Sequence, residues 1–431
     1  TVSTQTVTTT LTDAQGNRVL QSSAALNALG GFDFGLTLPE TMNLGSAQLH
    51  LALSSATGGA DYYHQIQVQE FRRPEFEVKA SVDPGPYFVG DAALAAVEAS
   101  YYAGGPLPGA EVTWSVTAQP GSYRPPNWDD FAFGIWTPWW RVWHMEPESG
   151  EAKQQSFSGL TDASGKHMLR IAFESVEPPR PTVVRAEASV MDVNRQAWAA
   201  SAQMLVHPAA LYVGLRSEPT FVERGEPIRV DAIVTDLEGR LVEGVPIALR
   251  AVRLKWQYLK GEWQEIEVDE QTCALTSAQE PVRCTFQTPE GGTYRLSATV
   301  ADAQGRPNLT QITRWVSGGE RPTALQVELE EVTLIPDRAE YQPGQTAHLL
   351  VQAPFAPAEG LLTVQCNGLV RQQRFSMDAP SITLDVPIVE ESIPNLWVQV
   401  DLVGAAPRLD AAGEPDDALP QRPAYATGSL N

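Results

Sequence analysis

The sequence predicts an all-β fold: a string of about four antiparallel β-sandwich domains, the first of them incomplete. Glycine and proline, 33 of each, separate short apolar runs along the 431 residues, as turns separate strands. A unit made of an aromatic residue, a tight turn at glycine and an alternating strand recurs at Gly90, Gly225 and Gly344. Each copy lies about one domain length from the next, which indicates repeated domains.

The clearest copy of this unit contains the turn signal Pro343-Gly344. Proline presets φ there, and glycine accepts a positive φ. After the turn, Ala347, Leu349 and Val351 occupy every second position. This period of two predicts a strand with one buried face.

The spacing of the units predicts four domains. They cover residues 1–70, 71–208, 209–318 and 319–431. In the first domain we expect strands near 32–36 and 49–53. No aromatic-turn unit precedes them, so this domain is expected to lack its first strands.

The later domains contain clear alternating strands. In the second domain we expect Leu169, Ile171 and Phe173 on one face. The third domain should bury two alternating sets, Ile228, Val230 and Ala232, and Tyr294, Leu296, Ala298 and Val300. The fourth should contain strands over 361–364, 382–386 and 396–402.

The second domain is too long for a simple sandwich, and the excess is the insert 119–156. The insert contains five of the 11 tryptophans of the chain. They are Trp128, Trp136, Trp139, Trp140 and Trp143. One interpretation is an aromatic interface for a ligand, glycan or partner. The favoured one is a plug that buries its rings against its own domain or a neighbour, as aromatic loops at domain joints do.

Three cysteines bear on the compartment. Cys273 and Cys284 flank a predicted hairpin, and a disulfide across it would imply an oxidising environment. Cys366 lies in an apolar, strand-like run and is expected to be a buried free thiol.

Composition and motif searches exclude several functions. The net charge of −22 disfavours nucleic acid as a partner, since such partners require basic patches. No two of the six histidines have metal-ligand spacing, and no catalytic motif is present. The sequence therefore predicts no enzyme, no metal and no cofactor. Residue 1 is not methionine, so we expect a piece of a longer protein.

Four short motifs resemble the alpha-2-macroglobulin family, and specifically its bacterial members. They occupy residues 71–76 (FRRPEF), 101–106 (YYAGGP), 341–345 (YQPGQ) and 394–398 (PNLWV). The first two are similar to the family's macroglobulin-like domains, and the last two to its bait-region domain. The resemblance implies seven-stranded sandwiches of fibronectin type III style and covers nearly the whole chain.

The resemblance also implies a function. Family members are broad-spectrum peptidase inhibitors: a protease cuts an exposed bait segment, the molecule rearranges, and the protease is trapped. The chain would then be the central fragment of such an inhibitor. We expect it to be periplasmic or at the cell surface, with any membrane anchor in a part not present here. Its partners would be target endopeptidases and the remaining domains.

The expected bait is the segment 404–423, which is rich in small, acidic and proline residues and cannot bury a core. A protease needs an extended segment of this kind. Arg408 suits trypsin-like enzymes, Leu409 and Leu419 suit chymotrypsin-like ones, and Ala411 and Ala412 suit elastase-like ones.

The chain also departs from the family pattern. Cys284 and Gln287 have the spacing of the family's thioester, but the residues between them differ and the run reads as a strand. Covalent trapping is therefore not expected from these residues. The alternative functions are a surface adhesin or stalk of immunoglobulin-like domains, and a carbohydrate- or peptide-binding module using the tryptophans. A downstream Cys-x-Glu-Gln in a helical domain would favour the inhibitor, and cell-wall anchors the stalk.

Overall fold

The fold was obtained as a computed structural model that describes residues 6–39, 41–54, 59–69, 75–141, 153–259, 262–319, 330–408 and 418–431. Regular structure in these ranges is almost entirely β-strand, which confirms the predicted fold class. Single turns of 3-10 helix occur at Trp139–Arg141 and Glu390–Ser392. None of the helical structure described is long and apolar enough to span a bilayer.

By their internal contacts the residues form two compact units, Thr1–Glu77 and Val78–Asn431. The four domain boundaries predicted above remain predictions. The first unit contains one antiparallel sheet in the order β2-β1-β3-β4. Its strands are β1 (Thr6–Thr12), β2 (Arg18–Ala25), β3 (Gly45–Ser54) and β4 (Ala60–Val68). Leu11, Met42 and Ala47 form its small core.

The prediction of a strand near 32–36 is wrong. Residues 32–36 carry the alternating pattern of a strand but make no ladder, and Phe32 and Phe34 are 37% and 36% exposed. A strand is stable only beside a partner that takes up its backbone hydrogen bonds. Among the described residues of this unit, no strand lies beside it. The second expected strand, 49–53, is confirmed within β3.

Two further sheets form between residues 76 and 207, nearly all of which belong to the second unit. Their orders are β10-β7-β5 and β6-β12-β11-β8-β9. The strands are β5 (Phe76–Val82), β6 (Tyr87–Phe88), β7 (Ala92–Tyr101), β8 (Glu111–Pro120), β9 (Lys153–Leu160), β10 (Lys166–Ala172), β11 (Thr182–Met191) and β12 (Ala197–His207). We call this pair of sheets the second sandwich.

The third sandwich repeats this order as β13-β15-β18 and β14-β20-β19-β16-β17. Its strands are β13 (Tyr212–Arg216), β14 (Phe221–Val222), β15 (Ile228–Thr235), β16 (Pro246–Leu259), β17 (Glu262–Thr276), β18 (Val282–Phe286), β19 (Gly292–Ala301) and β20 (Pro307–Val316). The two sheets share one core, and both alternating sets predicted for it are buried.

The fourth sandwich has the orders β21-β22-β25 and β24-β23-β26-β27. Its strands are β21 (Thr333–Pro336), β22 (Thr346–Gln352), β23 (Ala358–Gln365), β24 (Leu369–Met377), β25 (Ser381–Pro387), β26 (Trp397–Ala406) and β27 (Arg422–Leu430). This sandwich has the seven strands expected. The described residues of the second and third sandwiches form eight strands each, because the aromatic residues of the recurring unit form the two-residue strands β6 and β14.

The recurring turns have the conformation that the sequence predicts. Gly90, Gly225 and Gly344 have φ angles of +90°, +92° and +90°, which favour glycine. A second repeated turn begins with aspartate and ends with glycine. In two of its copies, the carboxylates of Asp236 and Asp302 accept backbone N–H groups two and four residues further on.

Candidate functional site

The hairpin β26–β27 carries the predicted bait segment. The two strands pair in continuous antiparallel register from Val398 opposite Leu430 to Ala406 opposite Arg422. The predicted break at 404–423 was therefore too wide at both ends. Position 404 has no room for a side chain, because a Cβ added to Gly404 would lie 2.7 Å from the carbonyl oxygen of Pro357. Pro423 is tolerated because β27 is at the end of its sheet's strand order.

Residues 407–421 connect the two strands, and we call them the hairpin loop; 409–417 lie outside the described residues. At its base the Arg408 side chain is exposed, and its Nε donates a 3.2 Å hydrogen bond to the carbonyl oxygen of Pro420. Leu419 is 50% exposed. The other three candidate cleavage residues, Leu409, Ala411 and Ala412, lie outside the described residues.

The tryptophan insert leaves its own sandwich and adds backbone to the third one. Ala132 and Leu215 of β13 exchange both backbone hydrogen bonds, 2.8 and 3.0 Å long. Further along the insert, the N–H of Trp136 donates to the carbonyl oxygen of Gln311 in β20, and the N–H of Gln311 donates to that of Gly134, both at 2.9 Å. Both strands have open edges here. β13 is the edge strand of its sheet, and β14 pairs only with the last two residues of β20. The insert therefore closes two edges at once.

Side chains fix the insert in this position. Phe131 is buried, and the guanidinium of Arg216 lies 4.6 Å from the centre of its ring. Arg216 also pairs with Asp130 of the insert. In the same strand, an added Cβ at Gly214 would lie 2.7 Å from the Phe133 ring, so glycine here makes room for that ring.

The start of the insert contacts the turn Asp236–Gly239 of the third sandwich. Trp128 Nε1 donates a 2.8 Å hydrogen bond to the carbonyl oxygen of Gly239, and the Tyr123 hydroxyl donates to that of Leu237. An added Cβ at Gly239 would lie 2.2 Å from the carbonyl oxygen of Pro126. Backbone thus packs directly on backbone at this contact.

Residues 136–140 of the insert reach the fourth sandwich through a tryptophan cluster. The rings of Trp136 and Trp140 lie 6.4 and 5.6 Å from that of Trp315 in β20. These rings pack with Phe221 and with two residues of the fourth sandwich, Ile335 and Leu350. Alternation in the sequence placed Leu349 and Val351, but not Leu350, on the core face of β22. Leu350 is nevertheless fully buried, because β22 is covered on both faces.

A buried cation lies beside this cluster. The guanidinium of Arg314 lies 5.2 Å from the centre of the Trp136 ring and donates to the carbonyl oxygen of Ser217 at 2.6 and 3.0 Å. Burial lowers the pKa of Arg314 to about 10, so it remains charged at neutral pH. A carbonyl oxygen and an aromatic face thus take the place of water around the charge.

These positions favour the plug interpretation of the insert. Trp128, Trp136 and Trp140 are half-buried against other sandwiches, and only Trp139 among the described tryptophans of the insert counts as exposed, at 38%. Trp143 lies outside the described residues. A ligand platform would present several free rings, so the role of these residues as an interface within the chain is the better-supported proposal.

The joint between the second and third sandwiches contains a buried histidine. His207 Nδ1 lies 2.8 Å from the hydroxyl of Tyr212, and the Tyr123 ring packs edge-on against the imidazole at 4.8 Å. The Phe88 ring is tilted against the imidazole, with 5.9 Å between the ring centres. Burial lowers the pKa of His207 below its ordinary value and raises that of Tyr212 above its own.

Acid is therefore expected to loosen this joint. The unfolded chain binds a proton at His207 near pH 6.5, whereas the folded imidazole resists it. Since the unfolded state then binds more protons, stability should fall as the pH falls below about 6.5. Urea unfolding at pH 7.5 and 5.5 measures this. His207→Gln should reduce the difference between the two pH values, and an unchanged difference would contradict the assignment.

Cys273 and Cys284 do not lie on the two strands of one hairpin, as their spacing predicted. Cys273 lies in β17 and Cys284 in β18, which belong to different sheets, and the structure joins them as a disulfide with Cα atoms 6.6 Å apart. Because Cys284 is in this bond and in a strand, it makes no thioester with Gln287. Cys366 is half-buried rather than buried, because it follows the last residue of β23 instead of lying in it.

These features define a multidomain β-sandwich protein whose last sandwich carries one long hairpin loop. A model of the "Alpha-2-macroglobulin bait region domain" matches residues 332–430, the fourth sandwich with its loop. An alpha-2-macroglobulin homolog of Nostoc sp. is 25% identical over 91% of this chain, and alpha-2-macroglobulin of Ralstonia nicotianae is 26% identical over 84%. Residues 332–430 are therefore similar to the bait region domain, and the resemblance to bacterial alpha-2-macroglobulins is confirmed.

The chain spans about a fifth of these relatives, 21% of the Nostoc protein and 20% of the Ralstonia protein. Among solved structures, native Escherichia coli alpha-2-macroglobulin aligns with all of this chain and 27% of its own, at 17% identity and a TM-score of 0.46. The trypsin-activated form of that protein aligns with a TM-score of 0.41, and the form activated by porcine elastase with 0.39.

Proposed function

We propose that the chain is the central part of an extracytoplasmic, broad-spectrum endopeptidase inhibitor, and that target proteases cut its hairpin loop. The observation that carries this proposal is the position of the loop inside the matched bait region domain. Strands β26 and β27 pair without interruption up to Ala406 and Arg422. Hairpins of this kind need only about 2–5 connecting residues. Residues 407–421 are many more than the fold requires, which favours a separate role for them.

The chemistry of the loop supports this role. It contains one arginine and four acidic residues, and its remaining residues are small, proline, leucine or glutamine. Arg408 offers a site to trypsin-like proteases, and Ala411 and Ala412 to elastase-like ones. Trypsin and elastase are also the proteases used to activate the E. coli relative. Leu409 is the better of the two leucines, since Leu419 precedes Pro420, and a proline after the scissile bond has no N–H.

The remaining features are consistent with an extracytoplasmic inhibitor. The Cys273–Cys284 disulfide is of the kind that persists in oxidising compartments. The insert joins the three sandwiches of the second unit into one support for the hairpin loop. A rigid support of this kind suits a binding role better than a catalytic one. The bait region domain also favours an inhibitor over the alternative stalk, which has no use for a long cleavable loop.

Replacing Arg408 tests the proposal. Brief trypsin treatment of the native protein should release the fragment that begins at Leu409, and Arg408→Gln should abolish that product. Elastase cleavage of the same variant should be unchanged, because its sites are the alanines. Arg374→Gln, in β24, is the matched control and should leave the tryptic pattern unaltered. A tryptic pattern unaffected by Arg408→Gln would reject the loop as the cleavage segment.

A further inference from the structure

The second arginine near the loop, Arg422, is in a very different environment from Arg408. It is the first residue of β27, opposite Ala406 in the ladder. Its guanidinium Nη2 donates to Oε1 of Glu330. The Glu330 side chain is 0% exposed and that of Arg422 13%. Arg422 is thus held through both its backbone and its side chain.

Glu330 is itself fixed against the hairpin. Its neighbour Glu331 forms a parallel bridge with Thr427 of β27, and the N–H of Val332 donates a 3.0 Å hydrogen bond to the Thr427 carbonyl oxygen. An added Cβ at Gly428 would lie 2.1 Å from the carbonyl oxygen of Val332, so the two segments touch through their backbones. The chain entering the fourth sandwich therefore brings the carboxylate to the base of the loop.

The two charges depend on each other. The remaining side-chain atoms of the pair, Oε2 of Glu330 and Nη1 of Arg422, are buried and have no hydrogen-bond partner among the described residues. Withdrawing the guanidinium would leave the Glu330 carboxylate buried without a counter-charge, which is strongly unfavourable. Arg422 is therefore expected to stay in place while the fourth sandwich is folded.

We propose that the Glu330–Arg422 pair sets the C-terminal limit of the cleavable segment and leaves Arg408 as the trypsin-type site of the loop. The inference rests on the proposed function. A trypsin-type protease must bind an arginine with an extended, unpaired backbone and a free guanidinium. Arg408 is outside the ladder, and its exposed guanidinium makes one exposed hydrogen bond, to Pro420. Arg422 is in the ladder, and its guanidinium is held by the buried carboxylate of Glu330. Pro423 also discourages cleavage after Arg422, so the pair must be tested with the proline removed.

The test compares the rates of the two tryptic cuts by mass spectrometry. In Pro423→Ala, the native protein should still be cut after Arg408 and at least about 100-fold more slowly after Arg422, because a ladder residue is cleaved only after local opening. The same variant unfolded in urea should be cut at both. Comparable rates in the native variant would overturn the proposal.

A second variant tests the ion pair itself. In Glu330→Ala/Pro423→Ala, cleavage after Arg422 should become at least about 10-fold faster than in Pro423→Ala, since the guanidinium is released. An unchanged rate would overturn the role of Glu330. If this double variant unfolds, as shown by cuts throughout the chain, the result in Pro423→Ala still decides. Failure of the proposed function looks different, because the wild-type loop would then not be cut at Arg408 at all.

Discussion

Replacing Trp136 with alanine should lower the free energy of unfolding of the second unit by about 3 kcal/mol, the lower end of the range for large aromatic residues because this ring is half-buried. The ring contacts Trp140 and Trp315 and covers the guanidinium of Arg314. Its removal would open a cavity where the insert meets two sandwiches and would uncover a buried charge. Urea unfolding followed by circular dichroism measures the loss.

Trp139→Ala is the matched control, because it removes the same kind of side chain from a nearby position in the insert. Trp139 is 38% exposed and packs edge-on against Trp140. We expect a loss of about 1 kcal/mol or less. Equal losses for the two variants would contradict the packing described for the insert. Small losses for both would indicate that the insert does not stabilise the unit.

Gly239→Ala should lower the free energy of unfolding by about 3–4 kcal/mol. The φ angle of +78° disfavours any residue with a Cβ by about 1–2 kcal/mol. The new methyl would also lie 2.2 Å from the Pro126 carbonyl oxygen, so the insert must move and lose the Trp128 hydrogen bond. Overpacking of this kind adds about 1–3 kcal/mol.

Gly305→Ala separates the two contributions. Gly305 ends the equivalent turn that begins at Asp302, with a φ of +75° and no atom within 4 Å of an added Cβ. Alanine there should cost only the conformational share, about 1–2 kcal/mol. The excess for Gly239→Ala measures the contact of the insert with the turn. Equal costs at the two glycines would contradict that contact.

Local patterns in the sequence predicted the sandwich strands well. Alternation from Tyr294 to Val300 identified a buried face because each side chain reports on its own strand. The segment at 32–36 has the same pattern without a strand, because a ladder also needs a neighbour that the pattern does not show. Leu350 is buried for a similar reason, since the cluster that contains it includes the Trp315 and Phe221 rings from the preceding sandwich.

The candidate site was predicted in part. Composition located the hairpin loop to within a few residues, but not that Arg422 pairs with Glu330, 92 residues earlier. The tryptophans stood out by number alone. The sandwich against which they pack could not be predicted, because the insert pairs with strands of another sandwich through backbone hydrogen bonds that any sequence can make. Gly214 and Gly239 make room for the insert, but no sequence pattern around these two glycines indicates that contact.

The most direct test of the proposal is to map the first bond cut by trypsin, chymotrypsin and pancreatic elastase in the native protein. Each protease would be used at low ratio for short times, and the new termini identified by mass spectrometry. Three first cuts within 407–421, after Arg408 for trypsin, after Leu409 for chymotrypsin and after Ala411 or Ala412 for elastase, would agree with a bait in the hairpin loop. First cuts in the insert 119–156, or in the turn between Cys273 and Cys284, would contradict it.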